Sequence, residues 1–384
     1  MKGVTRIVRR AAKRTVAPMM EGLLRLVVPS RKEAPETPRS IFVLRSNDLG
    51  DVLLVTPLFE SLRREFQDAR IVAGVGSWAK SLLVGNPYLT DVVEVDAPWF
   101  NKYSGRNGAV KRIRFAWSSA SARWLKSQKF DVGMDPLGST WGSLFLARAA
   151  IPVRLGTLGY AGGEAGFTDG VRFDPNEHVA MRCLRFAELL GATYRPAFYP
   201  QVFLSQEELN RAEALWVGLG ASSTDSRCRI VVGPGSGLSD KAWPPDCFQA
   251  VFAQLRAKSG VSVAVLGGPK ELELGDRVAG SGSTNFAGRQ SLRQMIAMVA
   301  RCDLVLCNSS LLLHAAAAFR RQSVVVLGRS FPSARAHQRQ WGYEGLSTSL
   351  GREEGSLDVI ASVDQALHHL ERMIEACSQV RAPL

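Results

Sequence analysis

One carboxylate in this chain stands where an open α/β sheet binds its ligand. The run IFVLRSNDLGD, Ile41 to Asp51, opens as a buried strand at Ile41 to Leu44. Val55, Leu58, Phe59, Leu62 and Phe66 follow at helical spacing. The chain therefore turns at Asn47 to Gly50 and enters a helix with Asp51 near its start, at the carboxyl edge of a parallel strand. Two chemistries fit that place. Asp51 caps the helix, an effect of about 1 kcal/mol, or it takes a proton from a substrate hydroxyl as general base.

Four strand exits in the second half carry groups suited to a nucleotide with phosphates. Gly233 to Pro244 (GPGSGLSDKAWP) is a flexible loop whose backbone N–H groups can approach an anion, with Lys241 as a point charge. Leu266 to Glu271 (LGGPKE) brings a carboxylate to the sheet edge, suited to ribose hydroxyls. Gly288 to Leu292 (GRQSL) is a turn whose backbone can pair with a base edge. Cys307 to His314 (CNSSLLLH) runs a strand into a helix whose start favours a diphosphate. Each exit also reads as an ordinary βα turn; four in order, opposite a first-half Asp, point to a site. There is no GxGxxG, no Walker loop and no metal-spaced His or carboxylate cluster, so neither a dinucleotide nor a metal is required and no cofactor is expected.

These residues need elements to position them. Strand and helix patterns alternate from residue 41: a helix to Phe66, a strand Ala69 to Val75, a helix near Trp78 to Val84, strands at Val92 to Val95 and Phe130 to Asp135. Pro98 to Trp124 between them is basic and aromatic. It reads as a surface insertion that meets an acidic acceptor, or as a solvated helix with core-anchoring tryptophans. The Gly-rich Arg148 to Asp174 ends the first sheet, a helix spans Glu177 to Leu190, and Ser205 with Glu208 forms a capping box for a helix over 205–220. A second βα series runs from Arg229 to Leu327. The expected organisation is an arm and linker at 1–40, a first domain at 41–200, a second at 201–350 and, at 351–384, a final helix from Leu357 to Cys377 packing back across the hinge. Two Rossmann-like, doubly wound parallel sheets joined this way face each other across a cleft.

Length and composition agree, since 384 residues with 46% hydrophobic content suit two packed domains. Six cysteines without CxxC or metal spacing suggest core thiols in a reducing compartment, and neither an export signal nor a bilayer-spanning run is legible. The net charge is +13, and residues 1–40 hold ten Lys or Arg against three Glu. There Val4, Ile7, Val8, Ala11 and Thr15 share one helical face and Lys2, Arg6, Arg9, Arg10, Lys13 and Arg14 the other. Residues 1–28 read as a basic anchor on an anionic membrane surface or as a basic tail. No aromatic interleaving or motif points to nucleic acid.

Taken together, Arg45-x4-Gly50-Asp51-x5-Pro57, Gly74 to Pro87, Pro234-Gly-Ser with Lys241-x-Trp243-Pro244, Gly267-Gly-Pro-x-Glu271, Ala287-Gly-x-x-Ser-Leu292 and Asn308-x-Ser310-x3-His314 resemble glycosyltransferase family 9, the ADP-heptose lipopolysaccharide heptosyltransferases, over about residues 41 to 345. The resemblance implies a GT-B fold and inverting, metal-independent transfer of heptose from ADP-heptose to a lipopolysaccharide-core or related lipid-linked acceptor. The reaction would take place in the cytoplasm, peripherally on the inner face of the membrane. It implies Asp51 as base, Lys241 and Ser236 at donor phosphate, Glu271 at ribose, Gln290 at adenine, and Ser309, Ser310, Leu311 and His314 at the diphosphate and sugar. The family segment there reads Asp-Ser/Thr-Gly, and this chain has Ser309 for the carboxylate and Leu311 for the glycine. Heptose transfer, another nucleotide sugar on a different surface glycan, and a non-catalytic glycan-binding or partner-binding protein all fit that departure.

Overall fold

The structure, a computed structural model, describes residues 37–105, 107–220, 228–280, 284–353 and 360–380. The basic arm expected at residues 1–28 lies outside them. The chain forms two compact units: one holds the chain up to Lys80, Asn86–Pro175 and Ala180–Phe198, the other Ser81–Gly85, Asn176–Val179 and Tyr199 onward.

The first unit carries β1 (Ser40–Arg45), β2 (Arg70–Val75), β3 (Asp91–Glu94), β4 (Val132–Asp135), β5 (Val153–Leu158) and β6 (Asp169–Arg172). They pair in parallel in the order β3-β2-β1-β4-β5-β6. The second unit carries β7 (Cys228–Gly233), β8 (Val261–Val265), β9 (Leu304–Asn308), β10 (Gln322–Val326) and β11 (Ser347–Leu350), parallel in the order β11-β10-β9-β7-β8. Runs such as VSVAV and LVLCN are buried almost throughout, as strands of a helix-covered parallel sheet must be. Strand order reverses between β1 and β4 in one sheet and between β7 and β9 in the other. Connections leave to opposite sides at such a reversal, so a crevice opens at the carboxyl ends of the two strands.

Three details differ from the sequence reading. The Gly-rich stretch forms two strands, because Phe167 lies over Gly156, where a Cβ would sit 2.2 Å from its ring, and a Cβ at Gly170 would sit 2.0 Å from the Gly156 oxygen. The helix Ala334–Trp341 and β11 were not anticipated, their sequences being polar and short. The final helix, expected from Leu357 and across the hinge, is Val363–Val380; its Ala366, Leu367 and Leu370 join Ile230, Leu306 and Val324 in the core of the second unit. Among the described residues the six cysteines form no disulfide. Among the described residues no helix is long and apolar enough to cross a membrane.

Ser81–Gly85 belongs with the second unit largely through Arg293. Its guanidinium donates to Ser81 O at 2.9 Å, Val84 O at 3.3 Å and Phe203 O at 2.8 Å, and pairs through both Nε and NH2 with Glu208. Glu208 also completes the expected capping box with Ser205. Hydrogen bonding from Arg293 holds the Glu208 carboxyl down at about 2, against an ordinary 4.5. A depressed carboxyl stabilises the fold above its unfolded value, and that stability fades as pH falls through the folded one. Glu208→Gln, which keeps the cap, is expected to cost about 1–2 kcal/mol at pH 7. The deficit should shrink between pH 4.5 and about 2. Urea unfolding across that range measures it, and a pH-independent deficit would contradict the pairing.

Candidate functional site

In the first unit Arg45 ends β1 and Asp51 is the third residue of the helix Leu49–Leu54. The Arg45 guanidinium is almost fully buried and donates through NH2 to Asp51 Oδ1 at 2.9 Å and through Nε to the Asp51 carbonyl at 3.1 Å. Asp51 therefore does not cap its helix; Asp48 holds the N-cap position, without a side-chain cap bond. The Asp51 carboxylate is 38% exposed, and among the described residues its Oδ2 has no hydrogen-bond partner. At the end of neighbouring β4, burial pushes the Asp135 carboxyl up, against the bonds it accepts from Ser139 and the charge of Arg45. The turn before Asp51 is clamped from outside. Asn47 Nδ2 donates to Phe100 O at 3.0 Å, Asn47 O accepts from Trp78 Nε1 at 3.0 Å, and Asp48 Oδ1 accepts from Lys102 N at 3.1 Å. Arg45, which sets the carboxylate's orientation, went unassigned in the sequence reading; its place in the Arg45-x4-Gly50-Asp51 spacing was the available signal.

In the second unit three of the four segments leave the strands β7, β8 and β9; the fourth, Gly288 to Leu292, follows no strand but an isolated bridge of Asn285 to Val265, which still brings it to the edge of β8. Asn308, the last residue of β9, is fully buried. Its Oδ1 accepts from Trp243 N at 2.8 Å, and its Nδ2 donates to Pro234 O at 2.7 Å and Gly235 O at 3.3 Å. The β7 loop is thus pinned on both sides of Lys241. Gly328 N donates to Lys241 O at 3.2 Å and Ser330 N to Asp240 O at 3.0 Å, bringing the β10 exit alongside. Lys241 makes no ion pair among the described residues, and its Nζ lies 5.5 Å from the Phe331 ring centre. Ser236 spends its hydroxyl proton on Leu238 O at 3.0 Å. Glu271 Oε2 accepts from Gly268 N at 2.7 Å, and the carboxylate packs so closely on Gly235 that a Cβ there would meet it at 2.2 Å. Gly288 N donates to Gly267 O at 3.1 Å, so the turn carrying half-buried Gln290 adjoins the Glu271 turn.

At the β9 exit Ser309 and Ser310 are half-buried and Leu311 opens the helix Leu311–Ala318 without a side-chain cap bond. Its first N–H groups are therefore available to an anion. His314, one turn in, is engaged within the unit. It is buried, its Nδ1 lies 2.8 Å from Tyr343 Oη, and burial, followed by the charges of His178 and His337, pulls its ring down to about 3.

His337, absent from the sequence reading because 28 positions separate it from Ser309, completes the site. Gln338 Nε2 donates to Ser347 O at 2.9 Å and Ser349 N to Gln338 Oε1 at 3.0 Å, which fixes the amide. Gln338 Oε1 also takes the Ser349 hydroxyl proton at 2.8 Å, leaving Ser349 Oγ to accept from His337 Nδ1–H at 2.8 Å. His337 Nε2 is then a bare acceptor and takes the Ser309 proton at 2.8 Å. Burial, then the charges of Lys241 and His178, hold the His337 ring at about 3, and so neutral. Ser309 thus turns only oxygen lone pairs outward.

The sequence matches the description glycosyltransferase family 9 (heptosyltransferase) over residues 119–343, more than half its length, and the chain belongs to that family. It is 24% identical over 307 residues to lipopolysaccharide heptosyltransferase 2 of Escherichia coli K12, covering 76% of this chain and 83% of that one. Its fold is similar to that of a family 9 glycosyltransferase from Veillonella parvula, with TM-score 0.71 and 21% identity over 90% of this chain and 100% of that one. It is also similar to the E. coli ADP-heptose LPS heptosyltransferase II, with TM-score 0.67 and 19% identity over 88% and 99%. The expected GT-B class, two Rossmann-like parallel sheets with their helices, is the fold shared with them.

Two measurements check this geometry. Asn308→Ala leaves a buried N–H and carbonyl unpaired, and is expected to cost about 2 kcal/mol and to speed amide exchange at Trp243; unchanged exchange would contradict the pinning. Long-range proton–nitrogen spectra of the His337 ring should show Nδ1 protonated and Nε2 bare from pH 8 to pH 5, in line with its depressed value of about 3; titration near 6.5 would refute the relay.

Proposed function

We propose that this enzyme transfers heptose from ADP-heptose to a lipopolysaccharide-core acceptor, with inversion and without a metal ion. One observation carries the donor half: the exits of β7, β8 and β9 and the turn at Gly288 are tied into one edge around Lys241, Glu271 and the start of the helix Leu311–Ala318. Family membership supplies the reaction class, and the E. coli relative is named for lipopolysaccharide heptose transfer.

In this reading Arg45 holds one oxygen of Asp51, and the other takes the proton of the acceptor hydroxyl as that oxygen attacks the anomeric carbon. A single displacement of the diphosphate inverts that carbon. Negative charge then grows on the leaving diphosphate, where Lys241 and the first N–H groups of the helix stabilise it; Ser236 joins them once its hydroxyl proton turns from Leu238 O to the phosphate. Glu271 keeps Oε1 without a hydrogen-bond partner among the described residues, suited to a ribose hydroxyl, and the Gln290 turn lies against adenine. Ser309 gives the sugar a neutral acceptor, oriented by His337, in place of the family's carboxylate. That substitution favours a second reading, a different sugar on the same nucleotide diphosphate scaffold.

Calorimetry with ADP, UDP and GDP, paired with turnover assays, tests both. ADP should bind in preference to the others, and Lys241→Ala should weaken it about tenfold or more. Asp51→Asn should lower turnover by about 10²–10⁴-fold with nucleotide affinity unchanged, and turnover should persist in a metal chelator. Preference for UDP or GDP would exclude the ADP-sugar donor, and full turnover in Asp51→Asn would exclude the base.

A further inference from the structure

Between Asp96 and Asp131 the sequence holds eight Lys or Arg and no acidic residue. The structure folds much of this interval into two helices, Ala109–Ser118 and Ala120–Gln128. The first helix is apolar on two sides. Inward, Phe115 and Ala116 pack against Trp99 and Phe145 in the core. Outward, Val110, Ile113 and Trp117 are 80%, 39% and 43% exposed. Their spacing of three and four residues aligns them as one stripe along the helix. Lys111 and Arg114 are exposed beside that stripe, and the Arg148 guanidinium lies 4.8 Å from the centre of the Trp117 ring. Phe100, with φ of 53°, and Tyr103 are exposed in the preceding turn, the one that clamps Asn47 and Asp48 ahead of Asp51.

A solvated helix has no use for that outer stripe. A polyanion such as nucleic acid would use the cations and leave the aliphatic side chains in water, whereas a bilayer of acidic lipids uses both, burying the stripe at the acyl boundary and setting cations among the headgroups. We propose that the outer face of the helix Ala109–Ser118 is a docking surface for an anionic lipid bilayer. It deepens the reading above, whose acceptor is lipid-linked, and places membrane contact in the unit that carries Asp51 rather than only in the terminal arm.

The test uses the full chain with its arm unaltered, so that differences report on the helix, and needs neither donor nor acceptor, so either reading can fail alone. Partitioning is measured onto vesicles of phosphatidylcholine alone and with phosphatidylglycerol. The double change Ile113→Ser with Trp117→Ser and the double change Lys111→Ser with Arg114→Ser should each weaken binding to the acidic vesicles about tenfold or more. Tryptophan quenching by brominated acyl chains should fall in Trp117→Phe. Thermal melting confirms folding of each variant, so that lost binding is read only from folded protein. Partitioning within twofold of the parent in both pairs, or quenching unchanged in Trp117→Phe, would overturn the proposal and leave the face to a protein partner or to none.

Discussion

The buried amide of Asn308 is the constraint on which the carboxyl edge of the second unit depends. It closes β9 at the point where strand order reverses, and the crevice that reversal opens would otherwise be walled by an unsupported loop. By accepting from Trp243 N and donating to Pro234 O, it fixes both ends of the segment carrying Ser236 and Lys241. Trp243 is anchored again where its Nε1 donates to Ala361 O at 2.9 Å. A long side chain with a mobile charge is thereby mounted on a rigid base, which restricts where that charge can reach.

The first unit solves a similar problem with a charge. Arg45 closes β1 at its own reversal point and holds Asp51 by a carboxylate oxygen and a backbone carbonyl. A carboxylate held by one oxygen keeps the other in a set direction, which a freely rotating side chain at a helix start would not. The buried Arg45 also faces Asp135, whose carboxyl is fastened to Ser139. The two units thus reach preorganisation by different means, an amide between backbone groups in one and an ion pair in the other.

Much of this was legible in the sequence because parallel strands announce themselves. Buried on both faces, they read as short β-branched runs, and the Gly, Ser and Asn residues after them mark the exits. The capping box at Ser205 and Glu208 was equally plain. What depended on tertiary partners was not. His314 sits one turn into its helix and looked like a ligand group, yet Tyr343, from far along the chain, takes its ring. The orientation of the Ser309 hydroxyl is decided by a relay through His337, Ser349 and Gln338, in an element too polar to be noticed. Ser81–Gly85 falls within the span read as the first domain, and its allegiance to the second unit is set by Arg293, more than 200 positions away.

The close approach of Gly235 to Glu271 has a consequence for anyone who would redesign donor choice. Gly235, Gly267 and Gly328 each lie where an added Cβ would fall within 3 Å of the Glu271 carboxylate or the backbone around Lys241. Gly328, which meets backbone, is closed to variation, whereas at Gly235 and Gly267 a side chain would first displace the Glu271 carboxylate. More freedom is left at Gln290, Ser309 and Leu311, whose side chains are half-buried. A new side chain there would change what the edge presents without displacing a backbone segment.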